Sequence, residues 1–214
     1  TSGIVNDYFY NKIDGFSGKK LLGSLQLLSK LFENDKNACY VEVGVFKGLT
    51  LLSNGIVSQK LDCYGIDNFA FFDPDKKNLN FVESQIKKNK LSNVKLINND
   101  YEDALDNLSD FIGEKKIAVY FIDGPHDYRS QLQCIIKALP YFHKNAIILI
   151  DDSNYRHVRL ANADFLRSNN EWKLLYESYT KSHPKNMNKD DYSKARNGWW
   201  NGINIIVRDK DNLL

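Results

Sequence analysis

Residues 39–50 read Cys39-Tyr40-Val41-Glu42-Val43-Gly44-Val45-Phe46-Lys47-Gly48-Leu49-Thr50. An apolar run rich in β-branched residues ends at Val43, two glycines follow, and a helical pattern starts near Leu49. A near-continuous apolar run of this length suits a strand buried on both faces of a parallel sheet. Gly44 and Gly48 permit a tight turn and let a ligand approach the backbone closely. The same alternation continues outward. Apolar runs at Cys39–Val43, Asp62–Ile66, Val94–Ile97, Ile117–Ile122 and Ala146–Ile150 are separated by helical patterns. Leu79, Val82 and Ile86 mark one such face, with Lys76, Lys77, Lys87 and Lys88 opposite. Leu132, Ile135, Ile136 and Leu139 mark another, stopped at Pro140, and Leu21, Leu25, Leu28 and Phe32 form one stripe before the first strand.

Five β-α units in succession imply an α/β domain of the Rossmann-like, doubly wound kind with right-handed crossovers. Two further strand-like runs, Trp172–Tyr179 and Ile203–Arg208, are joined by a long polar stretch with no helical stripe. They are expected to form an antiparallel pair at one edge of a mostly parallel sheet of about seven strands. Their long connection is expected to lie over the ligand crevice.

The 214 residues suffice for one domain with a real core. The expected organisation is a single unit over 1–214: an N-terminal helical segment over 1–37, a cofactor-binding core over 38–155, and a closing helix and hairpin over 156–214. Twenty-nine Lys+Arg against 27 Asp+Glu leave a net charge of +2, which gives no bulk attraction to nucleic acid or membrane. A hydrophobic content of 43% argues against disorder. No apolar run approaches the roughly 20 residues that span a bilayer. The opening TSGIVNDYFYNKIDG has no basic region followed by an apolar stretch, so no signal peptide is expected there. Cys39, Cys63 and Cys134 lie far apart among apolar neighbours. They read as buried free thiols of a reducing compartment, and a cytoplasmic location is expected.

In such folds ligands bind beyond the carboxyl ends of the strands, where the strand order reverses. The glycine turn lacks the dinucleotide pattern G-x-G-x-x-G, because position 46 is Phe and position 49 is Leu, and it is not a P-loop. An NAD-dependent oxidoreductase is disfavoured on that ground. Glu42 at the strand end can meet a cationic or amine-bearing ligand. Asp67 ends the second strand as an acceptor for ribose hydroxyls, or as a helix cap. Asp100 and Tyr101 follow the third strand, placed to accept from an adenine amino group and to line the ring, or to start a helix. Together these strand ends point to an adenosine-type ligand without a pyrophosphate.

The fourth strand ends Ile122-Asp123-Gly124-Pro125-His126 and the fifth ends Ile150-Asp151-Asp152. Neighbouring strands lie about 4.8 Å apart. Asp123 with Asp151 or Asp152 is therefore placed to share a hard divalent cation, with His126 near it as proton acceptor. The alternatives are a turn at Asp123 and a helix cap at His126. Trp199, Trp200 and Tyr155 serve either as stacking faces for a substrate or as core aromatics. Arg156, His157 and Arg159 meet an anionic part of a substrate or form a solvated face. The turn after the fourth strand is not the Asn/Asp-Pro-Pro-aromatic turn of nucleic-acid amino-methyltransferases. A non-catalytic binding protein would not need the acid cluster with His126.

These residues resemble class I S-adenosylmethionine-dependent methyltransferases over roughly 38–155. Glu42 to Gly48 is similar to the family's glycine-rich first motif. The resemblance implies that Glu42, Gly44, Phe46, Gly48, Thr50, Asp67, Asp100, Tyr101 and Asp123 contact the cofactor. Asp123-Gly124-Pro125-His126 with Asp151-Asp152 resembles a metal-dependent O-methyltransferase branch that includes macrolide sugar methyltransferases and cephalosporin-hydroxylase-like proteins. It implies Mg²⁺ at Asp123, Asp151 and Asp152 and His126 as the base. Catechol-type enzymes of similar metal arrangement usually carry Lys as the base and Asn as the second acid of the pair, so His126 and Asp152 place the chain nearer the sugar branch. The implied partner is a small molecule or glycan with a free hydroxyl, with no nucleic acid and no membrane. Homo-oligomerisation is left open.

Overall fold

The computed structural model describes residues 6–210. The first five residues of the N-terminal stretch read above, and residues 211–214, lie outside that range. In chain order come α1 (Lys19–Phe32), β1 (Ala38–Val43), α2 (Leu49–Val57), β2 (Asp62–Ile66), α3 (Asn78–Lys88), β3 (Val94–Ile97), α4 (Tyr101–Asp106) and α5 (Ser109–Ile112). Then follow β4 (Lys116–Ile122), α6 (Tyr128–Ala138), β5 (Phe142–Asp151), α7 (Arg156–Ser168), β6 (Trp172–Ser178), α8 (Lys189–Asn197) and β7 (Ile203–Arg208).

The seven strands form one sheet in the order β3-β2-β1-β4-β5-β7-β6. β1 to β5 run parallel, and β7 is antiparallel to both β5 and β6. The expected antiparallel edge pair is present, with β7 inserted between β5 and the edge strand β6. Alternating side chains feed two cores, one on each face of the sheet. Tyr40, Phe121 and Leu149 pack with Leu21, Leu25, Leu51 and Val82 of α1, α2 and α3. Val41, Tyr120 and Ile148 pack with Ala104, Ile112, Ile135 and Phe165 of α4 to α7. Each fully buried leucine of α1 contributes about 2 kcal/mol by the area it removes from water. The Tyr120 hydroxyl, buried in this second layer, donates to the carbonyl of Cys134 at 2.9 Å, so no polar group is stranded there. All three cysteines are free and buried, and burial pushes their thiols up.

Two sequence expectations need correction. The polar stretch between β6 and β7 contains a helix, α8. It buries only Ala195, so no apolar stripe marks it. It is held by capping instead: Asn188 accepts from the Asp191 amide at 2.9 Å, and Lys194 pairs with Asp191 at 3.1 Å. The buried face of α6 is also rotated from its expected stripe. Ile136 is exposed, while Gln131 goes inside because its amide donates to Asn162 at 3.0 Å.

The order reverses between β1 and β4, so the crevice opens where β1 and β4 end side by side. There the Gly44 amide donates to the carbonyl of Ile66 (2.9 Å) and the Asp123 amide to the carbonyl of Val43 (2.9 Å). Gly44 has φ +94, and a Cβ on it would overlap the backbone carbonyl of Asp123. Gly113 also has positive φ (+61) but nothing within 4 Å of such a Cβ. Gly44→Ala is therefore expected to cost about 3 kcal/mol or more, and Gly113→Ala about 1 kcal/mol. Denaturant unfolding of the two variants checks this, and equal costs would refute the backbone-contact argument.

Candidate active site

A cavity of about 680 Å³ lies over the carboxyl ends of β1, β2 and β4. Gly44 and Phe46 from the glycine turn, Thr50, Asp67, Asp100, Tyr101, Asp123, His126 and Asp152 all line it. Glu42 and Gly48, read as ligand contacts, do not. Glu42 is fully buried beneath the turn, where it accepts from the Tyr40 hydroxyl and from Thr50 Oγ1 at 3.1 Å. Burial pushes its carboxyl up to about 8. It braces the turn from behind. Gly48 serves as the N-cap of α2, in left-handed geometry at φ +80.

Asp67 is not a helix cap. Its Oδ2 accepts from the amides of Val45 and Phe46, both at 2.8 Å, and its Oδ1 from the Phe69 amide at 2.7 Å. The acid at the end of β2 thus fixes the glycine turn at the end of β1. Asp100 is a helix cap that also lines the cavity, and it caps α4 by accepting from the Glu102 amide at 2.9 Å. Tyr101 lies beside it, its phenol pushed up to about 12 chiefly by burial.

The fourth and fifth strand ends converge. His126 Nε2 lies 2.8 Å from Asp152 Oδ2, and Asn201 donates to Asp152 Oδ1. Asp127, rather than His126, caps α6 by accepting from the Ser130 amide at 3.0 Å, so the imidazole is left for the crevice. Asp152 reaches the cavity from a left-handed backbone, φ +53. Asp151 does not line the cavity. It pairs with Ile203 across β7, and its Oδ1 accepts the Asp152 amide at 2.8 Å. Consecutive residues of a strand point to opposite faces, so Asp151 and Asp152 could share the crevice only through a distortion. Among the described residues no three His, Cys, Asp or Glu side chains stand as a group that could hold a metal ion.

The charges are nevertheless poised for a cation. Burial, and then the charge of Asp152, push the Asp123 carboxyl up to about 8. Burial and the Asp123 charge push Asp151 well above the carboxylate range. His126 supplies the offsetting charge. Burial pulls its imidazole down, but the hydrogen bond and charge of Asp152 outweigh this and raise it. Six acids line the cavity (Asp67, Asp100, Glu102, Asp123, Asp127, Asp152) against one lysine, Lys185. Mg²⁺ commonly binds through one or two carboxylates plus water, and Asp123 with Asp152 offers that donor set.

Several lining residues escaped the sequence reading. Phe16 stacks on Phe46 with ring centroids 5.4 Å apart and lies 6.2 Å from the ring of Trp200, which also lines the cavity. His183 and Lys185 arrive from the segment before α8. The expectation that this connection lies over the crevice holds for that segment. Trp199 does not line the cavity, and its Nε1 donates to the Tyr176 hydroxyl at 3.2 Å. Tyr155 does line it, stacked on His126 with centroids 5.3 Å apart.

The methyltransferase domain model matches residues 41–153, more than half of the chain. The chain belongs to this methyltransferase domain family. Its sheet order and glycine turn are those of class I S-adenosylmethionine-dependent methyltransferases, as the residues had suggested. No curated protein matches the sequence. Among solved structures it is similar to an O-methyltransferase from Bacillus cereus in complex with S-adenosylhomocysteine (TM-score 0.60, 14% identity, covering 86% of this chain and 80% of that one). It is also similar to CalS11, a TDP-rhamnose 3'-O-methyltransferase of calicheamicin biosynthesis (0.59, 16%, 73% and 75%). A third is an rRNA methylase from Streptococcus thermophilus (0.56, 13%, 87% and 93%). At these identities the shared feature is the fold. No helix among the described residues is long and apolar enough to cross a membrane.

The His126–Asp152 pair of this methyltransferase sets a pH signature. A raised imidazole binds its proton more tightly in the folded state. The pair therefore stabilises the fold below the unfolded histidine value, and this contribution is lost as pH rises through the folded value. In metal-free protein, NMR titration is expected to place His126 above 6.5, its ordinary value. Asp152→Asn is expected to bring it down. A midpoint unmoved by that substitution would refute the pairing.

Proposed function

We propose that this methyltransferase transfers the methyl group of S-adenosylmethionine to a hydroxyl oxygen of a sugar, glycan or related small molecule, and that the described chain acts as one catalytic unit. The observation that carries the reading is the His126–Asp152 pair, 2.8 Å apart, beside Asp123 on the wall of the cavity that holds the glycine turn.

The acidic lining suits a donor that carries a sulfonium and an ammonium. Asp67 and Asp100 lie at the ends of β2 and β3, where the ribose and adenine of such a donor would sit. Tyr101 offers a ring face there, and Glu42 keeps the turn in shape from below. A sulfonium methyl is already activated, so the protein's task is to position and deprotonate the acceptor. His126, oriented by Asp152 through Nε2–H and stacked on Tyr155, accepts the hydroxyl proton at Nδ1. The aromatic wall of Phe16 and Trp200 gives a sugar ring an apolar face to lie on. Asp123 and Asp152 would hold Mg²⁺, with Asp151 behind them. A bound Mg²⁺ lowers the pKa of a coordinated hydroxyl and orients it. The fold shared with CalS11, itself a sugar O-methyltransferase, supports this acceptor class.

Calorimetric titration with S-adenosylhomocysteine, with Mg²⁺ and again with EDTA, tests the reading. Micromolar binding of the product is expected, together with a Mg²⁺ heat that disappears in Asp123→Asn/Asp152→Asn. His126→Ala is expected to bind S-adenosylhomocysteine normally and to lower kcat by about 10²–10⁴. Absence of product binding would overturn the proposal. A Mg²⁺ heat unchanged in the double variant would overturn the metal assignment alone.

A further inference from the structure

We propose that a second cavity, adjoining the catalytic one, is a subsite for a phosphate or diphosphate group carried by the acceptor, held by Arg159, Lys181 and His183. This rests on the hydroxyl-methylating reading above. The cavity has a volume of about 540 Å³ and forms between the start of α7 and the segment that follows β6. Tyr155 and His183 line both cavities. The Tyr155 ring stacks on His126 on one side and lies 6.4 Å from the His183 ring on the other. The second cavity thus begins about one ring-width from the base. A sugar beside His126 would extend a phosphate substituent past Tyr155 into it.

The charge lining the two cavities differs in sign. Six acids line the catalytic cavity, and none lines this one. Arg159 is fixed at the wall. Its Nη1 donates to the carbonyls of Ser153 at 2.8 Å and Asn154 at 2.6 Å, and its guanidinium lies 5.2 Å from the centre of the Tyr179 ring. No carboxylate pairs with it among the described residues, and neither Nη2 nor Nε has a hydrogen-bond acceptor among them, so their hydrogens are unused. Lys181 is exposed and makes neither a hydrogen bond nor an ion pair among the described residues. His183 Nδ1 accepts from the Lys185 amide at 3.2 Å, so the neutral ring carries its proton on Nε2 and presents a donor. The negative groups nearby stand outside the lining. Asp191 feels the charge of Lys181, and the Glu177 carboxylate accepts from the Tyr179 hydroxyl at 2.7 Å.

A concave site with two cations and an imidazole donor, and no lining acid, selects an anion. The planar guanidinium fork matches two oxygens of one phosphate, which a neutral sugar hydroxyl does not need. The first cavity takes the cationic donor, and the second takes the anionic end of the acceptor.

Calorimetric titration of the full chain, saturated with S-adenosylhomocysteine, tests this with inorganic pyrophosphate, uridine diphosphate and neutral methyl glucoside as probes. Both phosphates are expected to bind at least tenfold more tightly than the glucoside, as charge-assisted hydrogen bonds dictate. Uridine diphosphate tighter than pyrophosphate identifies a nucleotide-linked acceptor, and equal affinities identify a sugar phosphate. Arg159→Gln is expected to weaken phosphate binding about tenfold or more. Because Arg159 also ties two carbonyls, Lys181→Gln is the second variant. It removes a charge with no structural bond, is expected to weaken binding severalfold, and leaves S-adenosylhomocysteine affinity unchanged. Phosphate binding that is absent, or equal in wild type and both variants, while S-adenosylhomocysteine still binds, overturns the subsite alone. Loss of S-adenosylhomocysteine binding in the wild type overturns the function on which it rests.

Discussion

The backbone of Gly44 lies against the backbone of Asp123, and much of the site depends on that contact. A residue with any side chain at position 44 would drive β1 and β4 apart at the point where the strand order reverses. The closeness puts the glycine turn within reach of the acid at the end of β4. The turn is fixed twice more. Asp67 holds two of its amides from β2, and Glu42 supports it from beneath through Tyr40 and Thr50. Asp67 and Glu42 have different tasks although each ends or nearly ends a strand, because each meets a different set of donors.

Electrostatics divides the crevice. Carboxylates gathered at the ends of apolar strands are costly unless a cation or hydrogen-bond donors face them. His126 and Asn201 supply donors to Asp152, while Asp123 and Asp151 hold raised carboxyls. A site in that condition favours ligands that bring positive charge. The neighbouring cavity carries the opposite balance. Tyr155, stacked on His126, stands at the boundary between the two.

Much of this was legible in the residues. The five parallel strands stand where their apolar runs placed them, because strands buried on both faces must be apolar almost throughout. The crevice acids Asp67, Asp100, Asp123 and Asp152 followed from asking what comes after each strand. The sequence did not disclose α8, since a helix held by caps and ion pairs shows no apolar stripe. It also did not disclose Phe16, and it placed the connection that carries His183 and Lys185 over the crevice without singling out either as a lining residue, because these segments lie far apart in the chain and meet only through folding. Residue type alone could not separate Trp199 from Trp200. One donates to Tyr176 away from the cavity, and the other walls it.

The sequence by itself determined the alternation of strands and helices, the glycine turn and the run of acids at successive strand ends. These are local patterns, readable wherever a period of two gives way to one of 3.6. Only the tertiary structure decided which acids face the crevice. Glu42 and Asp151 carry carboxyl groups like their neighbours, yet one is sealed beneath the turn and the other is set behind Asp152. Orientation depends on strand alternation, on the positive φ of Asp152 and on what packs from the opposite layer. None of these is a property of the residue alone.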